Sequence, residues 1–287
     1  PASSNTVTTL YANNQLGNGG VLDGGSNSNA LSQSTFTNNA MALGALYLTN
    51  AASNTLTGLR VTNPTSYALY LGGSANYNTV TQSTVASNNG SCGNDWECVA
   101  FFLLGASYNT LTNNYASNPL KYASYMDTNA NYNSVSLSTF VTNAGGTSAF
   151  YMDAASSNVV TGNRMSNPAG RAVHLFGANY NNLSLNILTN GNATYPTLYL
   201  NNSASSNIFN GSFLSNTNGP VVLFDPGSRF NTLSLSTFTT NSAGSFVLSL
   251  NGASSNTVIT SYLSNPGGVV AHLAASANYN TIRISSF

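Results

Sequence analysis

The sequence predicts an all-β protein, a right-handed parallel β-helix of about eleven coils. Three observations lead there. A repeat near 24 residues runs the whole length, each repeat splits into short apolar segments bounded by turn residues, and one asparagine recurs at a fixed place in every repeat.

The repeat is read most easily from its asparagines: Asn5, Asn29, Asn54, Asn78, Asn109, Asn133, Asn158, Asn181, Asn207, Asn231, Asn256 and Asn280. Every spacing lies between 23 and 26 residues except one of 31. Odd coils tend to open with Ser-Asn, as at Ser53-Asn54, and even coils with Tyr-Asn or Phe-Asn, as at Tyr77-Asn78 and Phe230-Asn231. That alternation is the mark of a duplicated two-coil unit. Within a coil such as Asn54 to Tyr77, three short segments are legible: NTLTGLRV, a turn at TNPTS, then YALYLGGSANY. Apolar runs of three to five residues between Asn, Gly, Ser and Pro are too short for helices.

A second asparagine falls in the middle turn of each full coil: Asn14, Asn38, Asn63, Asn88, Asn118, Asn143, Asn167, Asn190, Asn216, Asn241 and Asn265. Proline follows it at Pro64, Pro119, Pro168 and Pro266, and a residue that cannot donate to a sheet ladder belongs in a turn. Coils stacked in parallel place equivalent residues about 4.8 Å apart. An amide carries both donors and an acceptor, so both asparagine columns are expected to run as amide ladders.

Through NTVTQSTV, NSVSLSTF and NTLSLSTF the chain resembles the right-handed parallel β-helix repeat proteins, which include pectate-lyase-like and NosD-like folds. The resemblance covers essentially the whole chain. It implies the fold and leaves activity open, because that fold carries lyases, hydrolases, adhesins and structural modules alike.

The third strands align into one column: Tyr47, Tyr70, Phe102, Tyr125, Tyr151, His174 and Tyr199, continuing through Leu223, Ser249 and His272. Its neighbours are mostly aliphatic, as in Leu69/Leu71 and Leu198/Leu200, so alternation turns the column outward. An exposed aromatic stripe is expected, serving as ring-on-ring stabilisation or as a docking surface for a partner or a glycan. On the first strands, Thr-Φ-Thr recurs at Thr6-Val7-Thr8, Thr55-Leu56-Thr57, Thr79-Val80-Thr81 and Thr110-Leu111-Thr112, resembling the flat threonine arrays of ice-binding solenoids.

The 31-residue coil carries an insertion loop at about 89–99, within a chain read as a single domain over 1–287. The loop holds Cys92, Cys98 and the only tryptophan, Trp96. Cys92 and Cys98 are expected to form a disulfide in an oxidising, extracellular setting, and Trp96 to make a specific contact. No histidine accompanies the two cysteines, and no metal or other cofactor is expected.

Charge excludes several functions. Only six basic and six acidic residues occur in 287, and Lys121 is the sole lysine, so no basic footprint exists for nucleic acid. No apolar run approaches the ~20 residues of a membrane helix. For catalysis, Asp127 and Asp153 end third strands of adjacent coils and are the candidates for acid-base chemistry. No cluster of acids with Arg or Lys is legible, and an enzyme is not expected. With neither end carrying a recognisable cap, the expected function is a secreted structural solenoid that self-associates head-to-tail into an extracellular filament or surface layer. The alternatives are a carbohydrate-binding or polysaccharide-degrading β-helix, with glycans as partners, and an ice-binding solenoid.

Overall fold

The structure, a computed structural model, describes residues 2–91 and 97–286. It is a right-handed parallel β-solenoid of about eleven turns, with no α-helix among the described residues. Two compact units divide the chain, Pro1–Thr142 and Asn143–Phe287.

In the N-terminal unit each coil contributes a first strand such as Thr55–Thr57, a second such as Arg60–Asn63 and a third such as Leu69–Gly72. Each pairs in parallel with its counterpart in the next coil, as Leu56 does with Val80 and Val61 with Val85. The apolar centres of the first two strands and the aliphatic flanks of the third fill the interior. Leu56, Val61, Leu69 and Leu71 are fully buried. The C-terminal unit repeats the plan with Leu183, Leu188, Leu198 and Leu200.

The first asparagine column forms the expected ladder in both units. The backbone N–H and the side-chain amide of Asn54 both donate to Asn78 Oδ1, at 2.9 and 3.0 Å. In the C-terminal unit Asn207 donates in the same two ways to Asn231 Oδ1, both at 3.0 Å. A third donation, Asn207 Nδ2 to the Ala178 carbonyl at 2.9 Å, completes the amide. Burial is near complete, and the satisfied donors and acceptors make it affordable. The residue before each ladder asparagine turns the chain with a left-handed backbone, including Tyr77, Tyr108, Tyr132, Tyr180 and Phe230 at φ 55–59°. A bulky side chain there costs ~1–2 kcal/mol, which the bonds of the following asparagine offset.

The second column differs from expectation in two ways. It is not an amide ladder: Asn63 Nδ2 donates to the carbonyls of Leu43 and Tyr67, at 2.6 and 3.2 Å, while its Oδ1 accepts from Thr65 N at 3.0 Å. The side chain stitches its own turn to the preceding coil instead of reaching the next asparagine. Nor does the column include every asparagine read into it. Ser87 pairs with Asn63, and Thr240 with Asn216, so Asn88 and Asn241 lie one residue beyond the register. Thr142, not Asn143, bonds the preceding coil, through Lys121 O. A short hydroxyl can make the same turn bond, which hides the register from a reader counting asparagines. A third polar column, at the corner between first and second strands, includes Ser83, Asn114 and Ser138. Mixed Ser and Asn made it illegible in the sequence.

Candidate functional site

The third strands carry the chemistry. In the N-terminal unit they are Gly20–Asp23, Leu46–Thr49, Leu69–Gly72, Val99–Leu104 and Tyr122–Asp127. In the C-terminal unit they are Ser148–Asp153, Arg171–Phe176, Leu198–Asn201, Val222–Phe224, Phe246–Asn251 and Val269–Ala274. The predicted aromatic column is in register: Tyr47 pairs with Tyr70, Tyr70 with Phe102 and Phe102 with Tyr125. Tyr151, His174, Tyr199, Leu223, Ser249 and His272 continue in the same way in the second unit.

The column faces outward but is not the exposed stripe that alternation implies. Phe102 is fully buried, and Tyr70 and Tyr125 are buried at 8% and 7% exposure. Tyr47, Tyr151, His174 and Tyr199 are half-buried. The cause is a second layer of tyrosines from just before the third strands or from their first residues. Tyr67 packs over Tyr70 with ring centroids 5.2 Å apart, and Tyr122 over Tyr125 at 5.6 Å. The exposed aromatic ladder lies elsewhere, at the left-handed corner, where Tyr77 stacks on Tyr108 at 5.1 Å and Tyr108 on Tyr132 at 5.0 Å.

The threonine rows do not present the regular open hydroxyl face of an ice-binding array. Thr57 and Thr81 bond each other at 3.2 Å, Thr112 and Ser136 at 3.0 Å, and Ala30 interrupts the other row.

In the C-terminal unit His174 sits between Tyr151 and Tyr199, with centroids 4.8 and 4.7 Å away. Its Nε2 meets Asn201 Oδ1 at 2.8 Å. The Asn201 amide nitrogen in turn donates to the Tyr199 hydroxyl at 3.3 Å, which leaves Oδ1 as the acceptor for the histidine. Nε2 therefore carries the proton, and Nδ1 is the position able to accept one. Burial holds the imidazole pKa down at about 3, the Arg171 charge pushing the same way and the Asn201 bond opposing.

Tyr199 donates a short hydrogen bond to Asp225 Oδ2, and Asn251 Nδ2 donates to Asp225 Oδ1 at 3.2 Å. Burial raises the Tyr199 phenol to about 12, reinforced by that bond and by the Asp225 charge. The Arg171 guanidinium lies over both Tyr195 and Tyr199, 4.8 Å from each centroid, and Nη1 donates to Gly146 O at 2.9 Å. A base, a protonated phenol, a carboxylate and a cation thus share one site. The sequence reading missed Arg171 and Asp225 because both lie outside the aromatic column. Arg171 opens its strand, and Asp225 follows the end of another. The one available signal was their position at the ends of third-strand segments near His174 and Tyr199.

In the N-terminal unit the same face forms a cleft of about 260 Å³ lined by Ala42, Tyr47, Tyr67, Tyr70, Leu104 and Asp127. Asp127 and Asp153 each end a third strand, one in each unit. Cys92 and Trp96 lie outside the described residues, and with them the expected bridge to Cys98 and the tryptophan contact. Cys98 itself is buried beside the strand Val99–Leu104. Among the described residues no three His, Cys, Asp or Glu side chains group to hold a metal ion.

Residues 45–194 match the family described as right handed beta helix region. The chain belongs to that family. No curated protein matches this β-helix in sequence. Among solved structures it is similar to the A-module of the mannuronan C-5 epimerase AlgE6 from Azotobacter vinelandii, with a TM-score of 0.61 and 11% identity, covering 96% of this chain and 80% of that one. A mutant of the periplasmic alginate epimerase AlgG gives 0.59 and 11%, covering 93% and 76%. DFA-IIIase from Arthrobacter chlorophenolicus A6 without its lid gives 0.60 and 14%, covering 98% and 68%. At such identities the likeness shows the fold.

The expectation of a non-enzymatic filament protein is corrected on this comparison: the similar structures are named as epimerases and as DFA-IIIase. That expectation rests on the absence of acids clustered with a basic residue in the sequence, whereas the structure gathers Arg171, His174 and Asp225 around Tyr199.

Proposed function

We propose that this β-helix is a carbohydrate-active enzyme that moves a proton at a sugar-ring carbon of an acidic polysaccharide. Its site is the cluster of Arg171, His174, Tyr199 and Asp225. One observation carries the reading: a neutral imidazole whose other nitrogen is committed to Asn201 stands beside a phenol kept protonated by Asp225. The first can accept a proton and the second can donate one, so base and acid are both in working form at neutral pH. Arg171 supplies positive charge beside Tyr199, where it stabilises a sugar carboxylate or the anion formed as a carbon-bound proton leaves.

Hydrolysis by two carboxylates fits less well. That chemistry needs carboxyl groups about 5–9.5 Å apart. Within the unit, Asp153 pairs with Phe176, which pairs with Asn201, and Asp225 lies one coil further still. Three coils separate the two acids, roughly 14 Å of backbone. Two of the similar structures are named as epimerases of mannuronan or alginate, and that substrate class is extended here to this chain. An extracellular or periplasmic location belongs to the same reading, supported by the periplasmic neighbour and by the two cysteines of the insertion.

The test is incubation with polymannuronate, polyguluronate and polygalacturonate in D₂O. Proton NMR reads deuterium entry and ring configuration, and ultraviolet absorbance reads unsaturated chain ends. Deuterium entry that is abolished by His174→Gln and by Tyr199→Phe is expected. Intact, unexchanged polymer throughout would overturn the reading.

A further inference from the structure

The N-terminal cleft shares no residue with the proton-transfer cluster, and its chemistry points to a different ligand. Three tyrosines shape it. Tyr47 and Tyr70 lie parallel, 4.5 Å apart and 8° from coplanar. Tyr67 tilts against both, at 6.4 and 5.2 Å. The Tyr67 hydroxyl donates to the Ala42 carbonyl at 2.9 Å, which fixes that wall before any ligand arrives. The Tyr70 ring lies down along its own strand over Gly72, where a Cβ would meet the phenol oxygen at 2.1 Å. Glycine at this one place therefore sets the floor of the cleft.

Asp127 supplies the polar end. Its Oδ1 accepts from Thr128 N at 2.6 Å and Thr128 Oγ1 at 3.1 Å, so the carboxylate is held in place. Oδ2 has no hydrogen-bond partner among the described residues, and the side chain is half-buried. Burial raises the Tyr67 and Tyr70 phenols, with the neighbouring tyrosines and then Glu97 and Asp127 pushing the same way, and no arginine or lysine is among the lining residues. A volume of about 260 Å³ falls just below the ~300 Å³ where ligand pockets usually begin, so it fits one sugar ring and not a chain segment.

We infer that this cleft binds a single sugar residue that carries no negative charge. The aromatic walls take its C–H face, and Asp127 Oδ2 accepts its hydroxyl protons. The proposal does not depend on the activity assigned to the C-terminal unit. An acidic sugar is excluded by like charge at Asp127, whereas Arg171 in the other unit favours one.

The experiment is titration of the full chain, followed by tyrosine fluorescence, with tetrasaccharides of glucose, of galactose, of mannose and of galacturonate. It is run on the wild type and on a His174→Gln, Asp225→Asn double variant that disables the other site. At least one neutral tetrasaccharide is expected to bind both proteins with equal affinity. Asp127→Asn should weaken that binding tenfold or more. Gly72→Ala, whose backbone φ is ordinary, should weaken it by displacing Tyr70 while the melting temperature reports an intact fold. Three results would each overturn the inference: no neutral sugar bound, binding indifferent to both cleft variants, or binding lost in the double variant. Failure of the proton-transfer reading would appear separately, as absent deuterium exchange with cleft binding unchanged.

Discussion

In the N-terminal unit the outward column of the third strands runs Tyr47, Tyr70, Phe102, Tyr125, and in the C-terminal unit Tyr151, His174, Tyr199, Leu223. The scaffold beneath is the same, with aliphatic flanks inside and an asparagine ladder at the corner. The first column closes into aromatic walls around one carboxylate. In the second, one ring becomes an imidazole, and Arg171, Asn201 and Asp225 gather on its neighbours. A few substitutions on an unchanged frame are enough to replace packed rings with a cluster of polar and charged side chains, because each coil holds its neighbours' side chains at a fixed spacing.

The largest test of that contrast compares one conservative change in each column. Tyr199→Phe removes the phenol proposed as proton donor and should lower turnover of the proposed polyuronate substrate by roughly 10²–10⁴-fold. Tyr70→Phe, one phenol removed from the other column, should leave turnover unchanged within error. Equal losses would dissolve the distinction between the two regions.

The shared frame is probed next. Asn109 and Asn207 are both ladder members with less than 2% exposure. Either one changed to Ala strands the donors of the previous rung, Asn78 or Asn181. At ~1–3 kcal/mol per unsatisfied buried group, each should cost about 3 kcal/mol in urea unfolding. Clearly unequal costs would show that the ladder serves the two units differently.

A pH series separates the units further, since both histidines, His174 and His272, lie in the C-terminal one. The folded pKa of His174, about 3, lies below its ordinary value of 6.5. Folding therefore favours the neutral ring, and this contribution is complete above pH 6.5. It erodes as pH falls from 6.5 toward 3. Relative to His174→Gln, the wild type should lose urea stability through that window. For the same reason, the acid limb of its activity should fall well below pH 6.5.

The smallest effects concern the left-handed corners. Leu185, at φ 56° and 64% exposure, should gain up to ~1 kcal/mol as Leu185→Gly by release of backbone strain. Tyr108→Gly should gain less or nothing in thermal melts, because it also loses two ring stacks worth about 0.5–1.5 kcal/mol each.

Much of this molecule was open to a reader of the sequence. A repeat near 24 residues and apolar runs of three to five leave one economical architecture, and Asn54, Asn78 and their equivalents bond as an amide ladder must. Those features are local or strictly periodic, so one coil predicts the next. The second column misled at Asn88 and Asn241, because Ser87 and Thr240 make the same turn bond with a different side chain. The outward direction of Tyr70 and Phe102 followed from strand alternation. Their burial did not, since the covering residue, Tyr67, comes from a turn with no periodic signature. Least legible was the site itself. Arg171, His174, Tyr199 and Asp225 come from three successive coils and from different positions within them, and stacking at a few ångströms turns separations of tens of residues into contact. Periodicity determined the fold. Which side chains meet was decided by the register between coils and by the turns that fold over them, and no single repeat contains that information.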